Sequence, residues 1–218
     1  MRFALTLLLV SLPIVICGDV VHWTIGSILL PDGKTHFRLD LYSPAAPGSY
    51  PILVFLTGLS GFITASDYNI MLRTVSSQNV IIVGISKIEN IEPEKMAVHI
   101  SDFLKWLLEP NEGIARIFTE HRPVRGVVPD TDRLGFLSHS SAGHPITQYL
   151  NGTCGPLKLL VMMNPVDGLD PFGIFSDFIT RKLFSIKRSF FISKLIIYSQ
   201  ILQRHCLSKF RHSSSVLV

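Results

Sequence analysis

The chain has 218 residues, 47% of them hydrophobic and 17% charged, which fits a single folded domain with one substantial core and excludes a disordered chain. Its formal charge of +4 is unevenly placed: residues 173–218 hold eight of the twenty Lys and Arg and one of the sixteen acids, a balance of +7, against −3 for residues 1–172. The body is therefore mildly acidic and does not interleave aromatic with basic residues, which excludes a nucleic-acid surface there.

In chain order, the first feature is a targeting segment. Arg2 precedes an apolar run over residues 3–10, and Ser11, Pro13, Cys17 and Gly18 supply a cleavage region. The pattern predicts a cleaved signal peptide over residues 1–17, because a membrane span needs roughly 20 uninterrupted apolar residues. A secreted body follows, in an oxidising compartment where Cys154 and Cys206 could pair. Asn151-Gly152-Thr153 is a glycosylation acceptor sequence consistent with that route.

Residues 20–30 and 37–42 read as two strands around the turn Pro31-Asp32-Gly33, the second alternating as a half-buried edge hairpin would. Residues 43–49, rich in Pro, Gly and Ser, read as a loop. Residues 51–56 are apolar throughout, as a strand buried on both faces is. A helix over 66–77 and a second buried strand over 79–84 follow. Pro93 opens a helix to about residue 108 with Met96, Ile100, Phe103, Leu104 and Leu107 on one stripe, and Pro110 closes it. Strands at 132–137 and 157–163 flank a helix at 141–150. A hairpin followed by alternating helices and buried strands predicts an α/β fold with a mostly parallel sheet and flanking helices.

Ser138-His139-Ser140-Ser141-Ala142-Gly143 falls between a buried strand and a helix, where a nucleophile elbow belongs. The residues two before and two after the nucleophile must be small. Ser138 and Ala142 satisfy this for Ser140, whereas other registers put His139 or Phe136 in the crowded place. The plainer alternative is a serine-rich turn that N-caps the helix. A hydroxyl nucleophile needs donors for the oxyanion. The N–H of Ser141 is one candidate. Leu59, after the buried strand and between Gly58 and Gly61, offers the other.

Residues 51–61, the helix ending Asp102-Phe103-Leu104-Lys105-Trp106-Leu107, the elbow with His139 and Gly143, and Asn164-Pro165-Val166-Asp167-Gly168 resemble the chlorophyllase-type α/β-hydrolases. They are also similar to the neighbouring platelet-activating-factor acetylhydrolase and cutinase-like esterases. The resemblance covers about residues 22–172. It implies an α/β-hydrolase-like fold and hydrolysis of a small-molecule carboxylic ester by a Ser-Asp-His triad, with no metal and no organic cofactor. The chain departs from that pattern where Ser138 replaces the first glycine of the elbow and Thr57-Gly58 replaces His-Gly. Asn164 also stands where the acid is expected, just before Pro165-Val166. Asp167 is the nearest replacement and Asp170 the next, though either suits a turn or a cap. The chain order of this fold is serine, acid, histidine, and only His205 and His212 follow the acids. Both lie in the tail, so the histidine stays unassigned. His139 and His144 are not assigned either, since an elbow turns neighbouring side chains away from the nucleophile.

Residues 174–218 contain no Gly, Pro or Ala. One reading is a basic amphipathic helix, with Phe190, Leu195, Tyr198 and Leu202 on one face and a weak contact with a membrane surface. The other is a C-terminus foreign to the body, from alternative splicing, a retained intron or a faulty gene model. The chain thus divides into a signal peptide (1–17), an α/β-hydrolase core with its C-terminal strands incomplete (18–172) and a basic tail (173–218). The function expected is a secreted serine hydrolase of a lipid-like or other apolar ester. The alternative is an inactive hydrolase fragment or binding protein that lacks the triad histidine.

Overall fold

The computed structural model describes residues 18–29, 36–58, 63–86, 93–120, 124–152, 156–164 and 195–199. The proposed signal peptide, Leu59, Asp167, Asp170, both remaining cysteines, His205 and His212 lie outside these residues. A hairpin-like pair, β1 (Val20–Leu29) and β2 (His36–Pro44), leads into β3 (Gly48–Leu56). A 3-10 turn at Ala65–Tyr68 runs into α1 (Asn69–Ser76), followed by β4 (Ile81–Ser86), α2 (Pro93–Leu107) and α3 (Ile114–Glu120). Then come β5 (Val127–His139), a second 3-10 turn at Ser140–Ala142, α4 (Gly143–Gly152), β6 (Leu157–Met163) and β7 (Leu195–Ser199).

All the strands join one sheet in the order β1-β2-β4-β3-β5-β6-β7. The run β4-β3-β5-β6 is parallel, β2 is antiparallel to β1 and β4, and β7 is antiparallel to β6. This is a mixed, mostly parallel α/β sheet with flanking helices. The chain leaves β3 toward β4 on one side and leaves β5 toward β6 on the other. The carboxyl ends of the neighbouring strands β3 and β5 therefore form a topological switch point, where open α/β sheets bind ligands.

Helices cover both faces, which is why β3 and β4 are apolar without alternation. On one face the α2 stripe Met96, Ile100, Phe103, Leu104 and Leu107 is buried with Ile52, Val54, Val83 and Phe136, joined by residues of α3 and α4. On the other, Leu72 of α1 packs with Phe55, Leu53, Ile82 and Tyr42. Strand β2 differs from its expectation. The β1–β2 pair lies at the edge of the sheet as expected, but all but two of the nine residues of β2, between β1 and β4, are buried rather than half of them. The tail differs too: Leu195 and Tyr198, expected on a helical face, belong to a strand paired with β6. A β-branched Ile196-Ile197 pair favours extended backbone, and the open edge of β6 supplies the ladder partners.

Gly135 shows how closely the parallel strands approach. A Cβ there would lie 2.7 Å from Leu53 Cδ2, 2.9 Å from Leu159 Cβ and 3.0 Å from the Leu159 carbonyl oxygen. The last contact is with β6 backbone, which cannot swing aside. Gly135→Ala is expected to lower stability by about 1–3 kcal/mol, read as a lower urea midpoint at unchanged slope.

Candidate active site

Strand β5 ends at His139 in extended backbone, φ −126° and ψ 141°, and the next residue, Ser140, turns to φ +55°. For an L-residue other than Gly, Asn or Asp this left-handed conformation costs on the order of 1–2 kcal/mol. The flanking residues at the crowded places, Ser138 and Ala142, are 1% and 0% exposed, so nothing larger fits without moving the sheet or α4. Ser140 is not the cap of this 3-10 turn. A cap residue has β-region backbone and bonds the first turn through its side chain; the extended residue here is His139, and it makes no such bond. Ser140 is half-buried, and Ser141 follows it in the same turn, buried at 6% exposure.

The end of β3 lies directly beside this turn. Leu56 is in register with Ser138, so Thr57 and Gly58 run alongside His139 and Ser140. A Cβ on Gly58 would stand 3.0 Å from His139 Nδ1, 3.2 Å from Tyr68 Oη and 3.3 Å from Ser140 Cβ. A side chain there would be crowded, so glycine eases this close approach of strand end to elbow. The Gly58 N–H donates to Tyr68 Oη at 3.3 Å, and the same hydroxyl lies 2.9 Å from His139 Nδ1. The Tyr68 ring meets His139 edge-on at 5.5 Å and Phe55 at 4.9 Å.

Tyr68 is itself anchored. The first N–H of its 3-10 turn, at Ala65, donates to Ser86 Oγ at 2.7 Å, and the Thr64 N–H and hydroxyl both donate to Asp67 Oδ2. Burial pushes the Tyr68 phenol above its ordinary 10, with the Gly58 N–H opposing and Asp67 adding to the rise.

Burial likewise pushes the His139 imidazole below its ordinary 6.5. In the window between that lowered value and 6.5, the unfolded chain binds a proton that the folded chain does not. This residue's contribution is thus full above pH 6.5 and is lost as pH falls through the window. Thermal melts from pH 7.5 downward should show an acid-side decline that is shallower in His139→Gln.

The structure thus brings Ser140, Ser141 and Gly58 together at the switch point. The Tyr68–His139 pair beside them was not expected from the sequence. The Nδ1 of His139 lies against Tyr68 Oη. His144 lies on α4 with its Nε2 3.4 Å from Gln148 Nε2. Asn164, standing where the acid is expected, follows β6 directly in left-handed backbone at φ 43°. Asn151 falls near the C-terminal end of α4. Among the described residues, no group of three or more His, Cys, Asp or Glu is placed to hold a metal ion.

No protein-family model matches the sequence, and comparison with curated proteins returns no match. Among solved structures, the chain is similar to one titled Bacterial Heroin Esterase, at 15% identity and a TM-score of 0.48, over 67% of this chain and 45% of that one. It is also similar to one titled m3DLH, at 16% identity and a TM-score of 0.44, over 68% of this chain and 60% of that one. The likeness therefore spans less than two thirds of either neighbour.

Proposed function

We propose that the chain carries the nucleophile side of a secreted, chlorophyllase-like serine ester hydrolase, with Ser140 as nucleophile. The observation that supports this most is the left-handed backbone of Ser140 at the switch point, between a buried parallel strand and a helix. Ser140 Oγ attacks the acyl carbon of a lipid-like or other apolar ester and a base takes its proton. The N–H groups of Ser141 and Leu59 hold the oxyanion, which collapses as the alcohol leaves with the proton the base took. A water then cleaves the acyl–Ser140 ester to release the acid. Asp167, the first acid after Asn164 in the sequence, is the candidate to orient that base, a histidine to which no position in this chain is assigned. The signal peptide at residues 1–17 and glycosylation at Asn151 belong to the same proposal.

Asn164 favours a second reading. A neutral amide at the acid's place can orient an imidazole but cannot stabilise its cation, which suits an inactive fragment or a binding protein. A fluorophosphonate probe decides between them. The folded 218-residue chain should be labelled at Ser140, and labelling should vanish in Ser140→Ala. A folded chain that takes no label supports the second reading, and label surviving in Ser140→Ala rejects the nucleophile assignment.

A further inference from the structure

We propose that Tyr68 is a positioning residue whose hydroxyl latches the end of β3 to the elbow, accepting the Gly58 N–H and donating to His139 Nδ1. The inference rests on Ser140 being the nucleophile. The three groups meet from distant parts of the chain. Gly58 ends β3, Tyr68 closes the 3-10 turn before α1, and His139 ends β5, 71 residues beyond Tyr68.

The proton positions follow from counting donors and acceptors. The Gly58 N–H can only donate, so Tyr68 Oη accepts it at 3.3 Å. If His139 Nδ1 also carried a hydrogen, the hydroxyl would accept from both, and among the described residues its own proton would have no acceptor. A neutral imidazole with its hydrogen on Nε2 gives the Tyr68 hydroxyl both a donor and an acceptor, with Nδ1 accepting the Tyr68 proton at 2.9 Å. Burial of His139, which disfavours the cation, points the same way.

The consequence is geometric. The Thr57–Gly58 peptide is held by its N–H within reach of Ser140 Cβ, and glycine leaves room for that approach. From this peptide the chain leaves β3 toward the segment expected to supply the second oxyanion donor. A misplacement of that donor by an ångström is enough to slow attack at a carbonyl or phosphonyl centre. The latch is stiff because its carrier is stiff: the turn is bonded at Ala65 to Ser86 Oγ, and the ring packs on Phe55.

Tyr68→Phe removes the hydroxyl and keeps the ring. In the full chain the melting temperature should change little, while fluorophosphonate labelling of Ser140 slows about ten- to a hundredfold. The nitrogen chemical shifts of the His139 imidazole should report an Nε2-protonated ring in the native chain and a tautomer mixture in Tyr68→Phe. Labelling at the native rate in a folded Tyr68→Phe chain overturns the proposal. So does an Nδ1-protonated His139 in the native chain. If the native chain takes no label, the nucleophile reading fails by itself, and the imidazole spectra still decide whether the latch exists.

Discussion

Asp40→Ala is expected to lower the unfolding free energy by about 3–5 kcal/mol, a large share of the 5–15 kcal/mol typical of a domain. Asp40 is 0% exposed on β2, where a lone carboxylate would be costly to bury. Its partners offset that cost. Thr24 Oγ1 donates to Oδ1 at 2.7 Å and Ser86 Oγ lies 3.4 Å from Oδ2, while His22 Nε2 and Arg38 Nη2 stand 3.5 and 3.7 Å from Oδ1. The charge is felt beyond them. The buried Tyr42 phenol is pushed up to about 12, first by burial and then by Asp40, against the opposing pull of Arg73. Removing the carboxylate leaves Thr24, Ser86 and Arg38 with unmet donors and opens a hole between β1, β2 and β4. Asp40→Asn keeps an acceptor and the volume and should lose less, so the order native, Asn, Ala in urea melts is the diagnostic result. Equal midpoints for native and Ala would mean that the donors are satisfied without Asp40. Because Ser86 Oγ also accepts the Ala65 N–H, the Ala variant should loosen the turn that carries Tyr68 as well.

What could be read from the sequence was local. The α2 stripe, the unbroken apolar runs of β3 and β4, and β6 were legible because helical spacing and continuous hydrophobicity need no knowledge of neighbours. The succession of strand, tight turn and helix around Ser140 was legible for the same reason. Features set by distant partners were not. The alternation in β2 suggests one wet face, but β1 and β4 close on both of its edges and helices cover it. Strand β5 begins at Val127, five residues before the apolar run that marks it at Asp132, because residues 127–130 pair with 48–51 across an irregularity. Helix α3, seven residues long and just beyond Pro110, is too short for its periodicity to stand out. The Tyr68–His139 contact has no sequence signal at all, as the sheet alone brings the two residues together.

Ser140→Gly should abolish fluorophosphonate labelling and yet make the protein more stable than Ser140→Ala, by about 1 kcal/mol. Three described residues other than glycine have positive φ: Asn79 at 64°, Asn164 at 43° and Ser140 at 55°. Two are asparagines, whose side chains tolerate left-handed backbone. Serine has no such ease, so at position 140 the chain holds a residue that its own backbone disfavours. A glycine would accept that conformation at no steric cost and would fit the gap between Ser138 and Ala142. Ala keeps the strain and loses only the hydroxyl, so native and Ala chains should melt close together, with Gly above both. Ser140→Asn makes the same test with a side chain present, provided that the crowded elbow accepts its larger amide. If Gly is instead no more stable than Ala, the turn is not strained, and the backbone of Ser140 stops being a reason to regard it as a nucleophile. If Gly is more stable and unlabelled, the disfavoured conformation is one that only the hydroxyl's chemistry explains.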